Sequence, residues 1–340
     1  MNTRIRDFIY TKEDMFFAVN SYFSPDDRIF SSLRYIPCER GGRIRENRRY
    51  CKVGDTEMSY EYLRKNFRDY IYDCRVTNIE QQAVPKKSIV GIFKPEERLK
   101  EIVEDPKDEL ENKLAILASE FENHGIPFDK MGISGSLLVK LHDKDSDIDF
   151  VVYGRDNFEE SRKILKDALM EENKIKDLTD KLWMDAYRKR IKDDTLSFQE
   201  FLFYERRKYN RGMINGTYFD ILYTRDWNEI KEKYGDLLFY PREKILIEAS
   251  VLDSKLAFDY PAVYEVEGVK VLESDEKNLE NELNIKQVVS YTHTYAGQAF
   301  NGEKILVKGR LERVSGLKEF HRVVVGTTRE AIGEYIKVKG

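Results

Sequence analysis

The stretch Gly135–Gly154 reads GSLLVKLHDKDSDIDFVVYG. A Gly-Ser turn leads into a short helical segment, LLVKLH, then a charged loop, then an apolar strand, DIDFVVYG. Asp145, Asp147 and Asp149 stand at alternate positions where that strand begins. Residues two apart on a strand share a face. Asp147, Asp149 and Val151 therefore point one way; Ile148, Phe150 and Val152 point the other. The second set is apolar and suits packing on helices. The first opens with two carboxylates about 7 Å apart, which repel by about 2 kcal/mol at an effective dielectric near 20. A buried strand keeps such a pair only with compensation.

A hard divalent cation, Mg2+ (or Mn2+), compensates it by taking carboxylate and phosphate oxygens together. Two such ions can activate an attacking hydroxyl and stabilise a departing pyrophosphate. A third carboxylate fits the same arrangement. TYFDILY, residues 217–223, reads as a strand by its aromatic and β-branched content. Asp220 faces opposite to Phe219 and Ile221, and joins Asp147 and Asp149 if the two strands are neighbours. The bland alternative for Asp220 is a solvated edge position or a bond to a nearby Arg.

Gly135 and Ser136 precede the short helix. A helix start offers unpaired N–H groups to a phosphate, glycine lets the backbone come close, and the serine hydroxyl adds a donor. A plain serine cap is the alternative. The spacing G-S-x10-D-x-D favours the phosphate reading, since four fixed residues arise in one register with a probability of about 10⁻⁵ at average usage.

These residues resemble the nucleotidyltransferase superfamily of DNA polymerase β, kanamycin nucleotidyltransferase and the CCA-adding enzymes. The resemblance covers roughly residues 108–235. It implies that Gly135 and Ser136 hold a nucleoside triphosphate and that Asp147 and Asp149 bind the metals. It implies that Asp220 assists as ligand or base. The flanks, in RDFIYTKEDMFFAV and YTHTYAGQAFNGEKILVKG, resemble an archaeal group of predicted nucleotidyltransferases. The expected activity is transfer of a nucleoside monophosphate from an NTP to an acceptor hydroxyl, with RNA as the expected acceptor. A protein-modifying adenylyltransferase and a non-catalytic RNA- or protein-binding scaffold are the alternatives.

Outside the motif, the 340 residues suggest two or three domains. The expected class is α+β. Residues 1–105 read as a small α+β domain, with strands in DMFFAVNSYF and RIFSSLRYIP and a helix in SYEYLRKNFRDYIY. Residues 106–238 read as the nucleotidyltransferase domain, a mixed sheet with helices. It is led by the amphipathic helix DELENKLAILASEFENHGI and interrupted by a helical insert over roughly 157–211. Residues 239–340 read as a β-barrel-like domain with turns at Gly268, Gly302 and Gly316.

A net charge of −4 does not announce a nucleic-acid binder, so such binding needs a local basic patch. CERGGRIRENRRYCK, residues 38–52, offers one: Arg43, Arg45, Arg48 and Arg49, with Tyr50 at hand for stacking. A solvated loop is the alternative. Arg206, Arg207 and Lys208, with Arg211, are candidates to reach the triphosphate or an acceptor backbone; a solvated helix end is their alternative. SYTHTYAGQAF, residues 290–300, reads as an edge strand with an internal hydrogen-bond network, and His142 as a helix cap. The odd count of three cysteines with no C-x-x-C points to reduced thiols, and no nearby His completes a zinc site at Cys38 and Cys51. No membrane-length apolar run and no signal-peptide pattern are read, so the expected location is cytoplasmic.

Overall fold

The computed structural model describes residues 2–171, 174–275 and 283–339. The chain is α+β and forms two compact units. One comprises Met1–Ile71, Gln82–Asp180 and Tyr209–Lys231; the other comprises Tyr72–Gln81, Lys181–Lys208 and Glu232–Gly340.

The first unit holds two sheets. In the N-terminal sheet, Phe8–Thr11, Phe16–Val19 and Arg28–Pro37 run antiparallel in sequence order, with Ile89–Phe93 beside the first and Arg48–Lys52 beside the third. The FFAV strand explains how this sheet is used. Phe17 packs with Ile9, Leu33 and Val84 under the helix Thr56–Asn66, which contributes Leu63. Its neighbour Phe16 points to the opposite face, where it packs with Tyr35, Tyr50, Leu138, Val139 and Leu141. Both faces of the strand are therefore buried, and the second covers the motif segment itself.

That packing corrects the boundary expected at 105/106. The expected first and second domains share one core. Gly132 and Pro95 are in contact so close that a Cβ on Gly132 would lie 2.7 Å from the proline ring. Arg4 lies over the Tyr153 ring at 3.8 Å and pairs with Glu96 at 2.9 Å. The expected boundary at 238/239 falls near Glu232, where the second unit's last segment begins.

The second sheet of this unit has the order Ile175–Lys176, Arg211–Ile214, Thr217–Thr224, Ile148–Tyr153, Met131–Ile133. Ile148–Tyr153 is parallel to Thr217–Thr224 and antiparallel to Met131–Ile133. It is a central strand, so Ile148, Phe150 and Val152 are fully buried. The expected amphipathic helix is Glu109–Asn123, capped by the Asp108 carboxylate on the Glu111 N–H, and its Phe121 stacks on Phe150 at 5.3 Å. The helical insert consists of Arg155–Ala168, Asp180–Arg190 and Phe198–Lys208.

In the second unit, Leu238–Leu256, Ala262–Ser274, Ile285–Ser290, Phe320–Val325 and Lys304–Ser315 are bonded in that order, and the last pairs back to the first. The ring of five strands is the expected barrel. Its long first strand makes the closure by pairing with Lys304–Ser315 through residues 238–250 and with Ala262–Ser274 through residues 245–256. The polar SYTHTYAGQAF segment is not the expected edge strand: past Ser290 it is a run of turns, held by hydrogen bonds within this unit. Tyr264 donates to the Tyr295 carbonyl, Tyr295 to the Glu334 carbonyl at 3.0 Å and Gln298 to the Ile336 carbonyl at 3.0 Å.

Cys38 and Cys51 form a disulfide, which corrects the expectation of reduced thiols. The antiparallel pairing of Ile36 with Cys51 brings the two Cα atoms to 5.7 Å across 13 residues of sequence, a closeness that spacing alone does not reveal. Cys74 is free and buried. Among the described residues no helix is long and apolar enough to cross a membrane.

Candidate active site

Asp149 and Asp220 are register partners on adjacent parallel strands. Neighbouring strands lie about 4.8 Å apart, and residues in register point to the same face. Asp147 precedes the strand by one residue and shares the face of Asp149. Asp145 falls in the exposed turn before it. Asp149 and Asp220 therefore face the same way in the amino-terminal halves of two central strands, with Asp147 just ahead of the first. Their proximity is visible in the Asp149 carboxyl, which is pushed up to about 6 by burial first and then by the negative charges of Asp147 and Asp220. Arg6 and Arg34 pull it the other way.

Gly135 lies directly against this group. Its φ is +64°, a left-handed conformation, and a Cβ there would stand 1.9 Å from Asp149 Oδ2. No residue but glycine fits without moving the carboxylate. The Ser134 N–H donates to the Asp149 carbonyl at 2.9 Å, which fixes the turn to the strand. Ser136 is buried, in the helix Gly135–Leu138. That helix is only four residues long, so it brings little macrodipole; what it offers a phosphate is the unbonded N–H groups of its first turn.

Asp220 is held from two sides. Its Oδ1 accepts from the Tyr218 hydroxyl at 2.7 Å and is 2.7 Å from Arg211 Nε. Arg211 is buried and sits opposite Asp220 in the antiparallel pair Arg211–Ile214 with Thr217–Thr224. Tyr35, pushed up to about 12 by burial and also affected by Asp149 and Asp147, closes another side. Arg6, Arg34, Tyr35 and Tyr218 were not singled out from sequence. Arg34 and Tyr35 come from the N-terminal sheet and Arg6 from the turn before its first strand, and no local pattern announces that this sheet packs on the motif. Tyr218 could have been found, because it lies two residues from Asp220 on one strand face.

The basic loop is placed differently from its sequence reading. Arg43–Arg45 and Arg48–Lys52 form a hairpin in which Arg43 and Arg45 are partly buried against the protein, while Arg48 and Arg49 are exposed. Arg43 donates to the Leu141 carbonyl at 3.1 Å and the Ser146 hydroxyl at 2.8 Å, and pairs with Asp143 at 2.9 Å. Arg45 donates to the Val139 carbonyl at 2.9 Å and lies over the Phe93 ring at 4.7 Å. Arg48 pairs with Asp14, Arg49 donates to the Gly41 carbonyl at 3.1 Å, and Tyr50 is buried. Arg43 and Arg45 thus brace residues 139–146, the loop that carries the chain from the Gly-Ser turn to the aspartates. Replacing Arg45 by Ala is expected to lower stability by about 1–2 kcal/mol, the worth of the lost charged hydrogen bond and ring contact. Chemical denaturation measures that loss, and RNA affinity at fixed salt should stay unchanged.

Arg206, Arg207 and Lys208 end the helix Phe198–Lys208, in the second unit. Arg206 is exposed. Arg207 pairs with Glu303 at 2.6 Å and lies over Phe300 at 4.5 Å. Lys208 is 1% exposed and donates to Glu205 at 2.5 Å and to the Thr294 carbonyl at 2.8 Å. These partners replace the phosphate contact expected of Arg207 and Lys208. The Lys208→Ala variant should lose about 3 kcal/mol in urea unfolding, because it removes the nearer cation of buried Glu205 and leaves only Arg190, at 3.9 Å. Unchanged stability with weakened NTP binding would reinstate the earlier role.

Donor atoms of Asp108, Glu111 and His142 lie within 4.8 Å of one another. His142 Nε2 is 2.7 Å from Asp108, and Glu111 accepts from Arg98. The Arg98 cation supplies the charge balance that a metal would, and Asp108 is at the same time a helix cap. The oxygen-only donor set of Asp147, Asp149 and Asp220 suits a hard divalent cation better, and their mutual repulsion calls for one.

A strand-turn-strand that sets two aspartates beside a Gly-Ser turn defines a class, and the comparison agrees with it. Residues 114–209 match the model of the nucleotidyltransferase domain. An uncharacterized protein of Methanocaldococcus jannaschii is 47% identical over 352 residues, covering 100% of each chain. The chain belongs to the same family as this archaeal protein, and its residues 114–209 carry the nucleotidyltransferase domain. No solved structure matches it.

Proposed function

We propose that the first unit binds an NTP and divalent metal and transfers the nucleoside monophosphate to an acceptor hydroxyl, with RNA as the acceptor. The observation that supports it most is the register of Asp149 with Asp220 beside a glycine that must be glycine. In the balanced step, the acceptor oxygen forms a bond to the α-phosphorus and the bond to the bridging oxygen breaks. Pyrophosphate leaves with the electron pair, and the hydroxyl proton passes to a carboxylate of the cluster.

Asp147, Asp149 and Asp220 would hold the Mg2+ or Mn2+. When bound, the metal supplies positive charge that lowers the cost of the developing negative oxygens. The protein's own part is placement. Gly135 and Ser136 bring main-chain N–H groups to the triphosphate. Tyr218 and Arg211 fix one oxygen of Asp220, so its carboxyl is pre-oriented at the site. Arg6 and Arg34 keep positive charge near Asp149.

The test is to incubate purified protein with each labelled NTP, Mg2+ and total RNA, beside the Asp147→Asn, Asp149→Asn double variant. Label on RNA with the native protein alone supports the proposal. Label on protein alone turns it to the adenylyltransferase reading. Label with both proteins, or with neither, leaves the scaffold reading.

A further inference from the structure

The barrel presents a second like-charge conflict. In the strand Lys304–Ser315, Ile305, Val307, Gly309 and Leu311 are buried, so Lys304, Leu306, Lys308 and Arg310 face outward. Arg310 is the register partner of Lys244 on the adjacent antiparallel strand. Lys308 follows two residues along, about 6.8 Å away. Like charges directly opposed on paired strands cost roughly 0.2–1 kcal/mol. The Asp275 N–H bonds the Lys244 carbonyl at 3.0 Å, but its carboxylate makes no ion pair with Lys244, and two other nearby acids are engaged elsewhere. Glu248 is paired with Lys339, and Glu312 with Arg322. Among the described residues Lys244, Lys308 and Arg310 make no ion pair.

An aromatic ring completes the patch. Tyr335 on the outer strand Tyr335–Val338 is the register partner of Lys308, and Lys337 lies 5.5 Å from its ring. Both are partly exposed. Three cations in two rows beside a ring match the needs of a flexible phosphate chain with stackable bases. The strand order, with the third and fifth strands parallel, is that of the OB-type barrel, many of which bind oligonucleotides on their second and third strands. Here the second strand exposes Glu265, Glu267 and Glu273, which repel phosphate. The basic rows lie instead on the first and fourth.

We infer that the outer face of Leu238–Leu256 and Lys304–Ser315 binds single-stranded RNA through Lys244, Lys308 and Arg310, with Tyr335 as a stacking platform. The link to an acceptor strand rests on the proposed transferase reading; the binding itself does not.

The experiment measures anisotropy of a labelled single-stranded RNA against salt with the full chain, without NTP or divalent metal. The Lys308→Gln, Arg310→Gln variant should bind at least ~10-fold more weakly at 100 mM salt. Its salt slope should fall by about 1.4, the value for two lost phosphate contacts on a single strand. It should melt at the same temperature or higher, because a repulsion has been removed. Unchanged affinity and slope would overturn the inference. So would a lowered melting temperature, which marks the cations as structurally paired, or equal binding to phosphatidylserine vesicles. Pyrophosphate release, measured on the same proteins in separate reactions with NTP and Mg2+ added, keeps the two readings apart. RNA binding without release defeats only the transferase, and release with unchanged variant binding defeats only the barrel site.

Discussion

Replacing Asp149 by Asn is expected to abolish nucleotidyl transfer and to raise the melting temperature of the metal-free protein above pH 6. The two effects share a cause. Burial and the charges of Asp147 and Asp220 push the Asp149 carboxyl up to about 6 from 3.8. The native fold therefore holds this proton more tightly than the unfolded chain does. The charge costs nothing below about pH 4, where both states are protonated, and its full cost is present above about pH 6. Stability of the native protein should fall as pH rises through that window. A shift of this size corresponds to about 1–3 kcal/mol once local relaxation is allowed. Asn has the shape of the neutral acid and avoids the cost. Transfer should drop by roughly 10³-fold or more, equivalent to about 4 kcal/mol of barrier. Thermal melts at pH 5 and pH 8, with and without Mg2+, measure it. Mg2+ should raise the native melting temperature at pH 8 and leave that of the variant nearly unmoved. A variant less stable than the native protein at pH 8 would show that the aspartate is compensated without metal.

The Gly135→Ala variant should be damaged in both properties. The new Cβ meets Asp149 Oδ2 at 1.9 Å, and φ of +64° is costly for alanine. Overpacking and backbone strain together predict a loss of about 2–4 kcal/mol. Either the turn or the carboxylate must move, and a displacement near 1 Å at a reacting centre costs about 10²-fold in rate. A double-variant cycle isolates the contact. Gly135→Ala combined with Asp149→Ala removes the obstructing oxygen, so about 1–3 kcal/mol of the stability loss should return while activity stays absent. Simple additivity of the two losses would mean that the carboxylate does not lie against the turn.

The chemistry of the site was legible in the sequence because strands have a period of two. Alternation placed Asp147 and Asp149 on one face and Ile148, Phe150 and Val152 on the other, and the same rule singled out Asp220 from Phe219 and Ile221. The barrel was legible for the same reason. The arginines were not. Arg43, Arg45, Arg48 and Arg49 look like a nucleic-acid loop in a linear reading, because a charge pattern does not say which carbonyls lie opposite it.

What the sequence by itself determined is local: strand faces, the Gly-Ser turn, and the capped helix before it. Whether Asp220 stands beside Asp149 depended on a parallel pairing across 71 positions of chain, 220 less 149, which no local period encodes. Tertiary structure also decided that Phe16 covers the motif while Phe17 fills the N-terminal core, so that two expected domains share one unit. It joined Cys38 to Cys51 and opposed Arg310 to Lys244. The physical reason is common to all four: pairing and packing are set by which surfaces exclude water together, and that is a property of the folded chain.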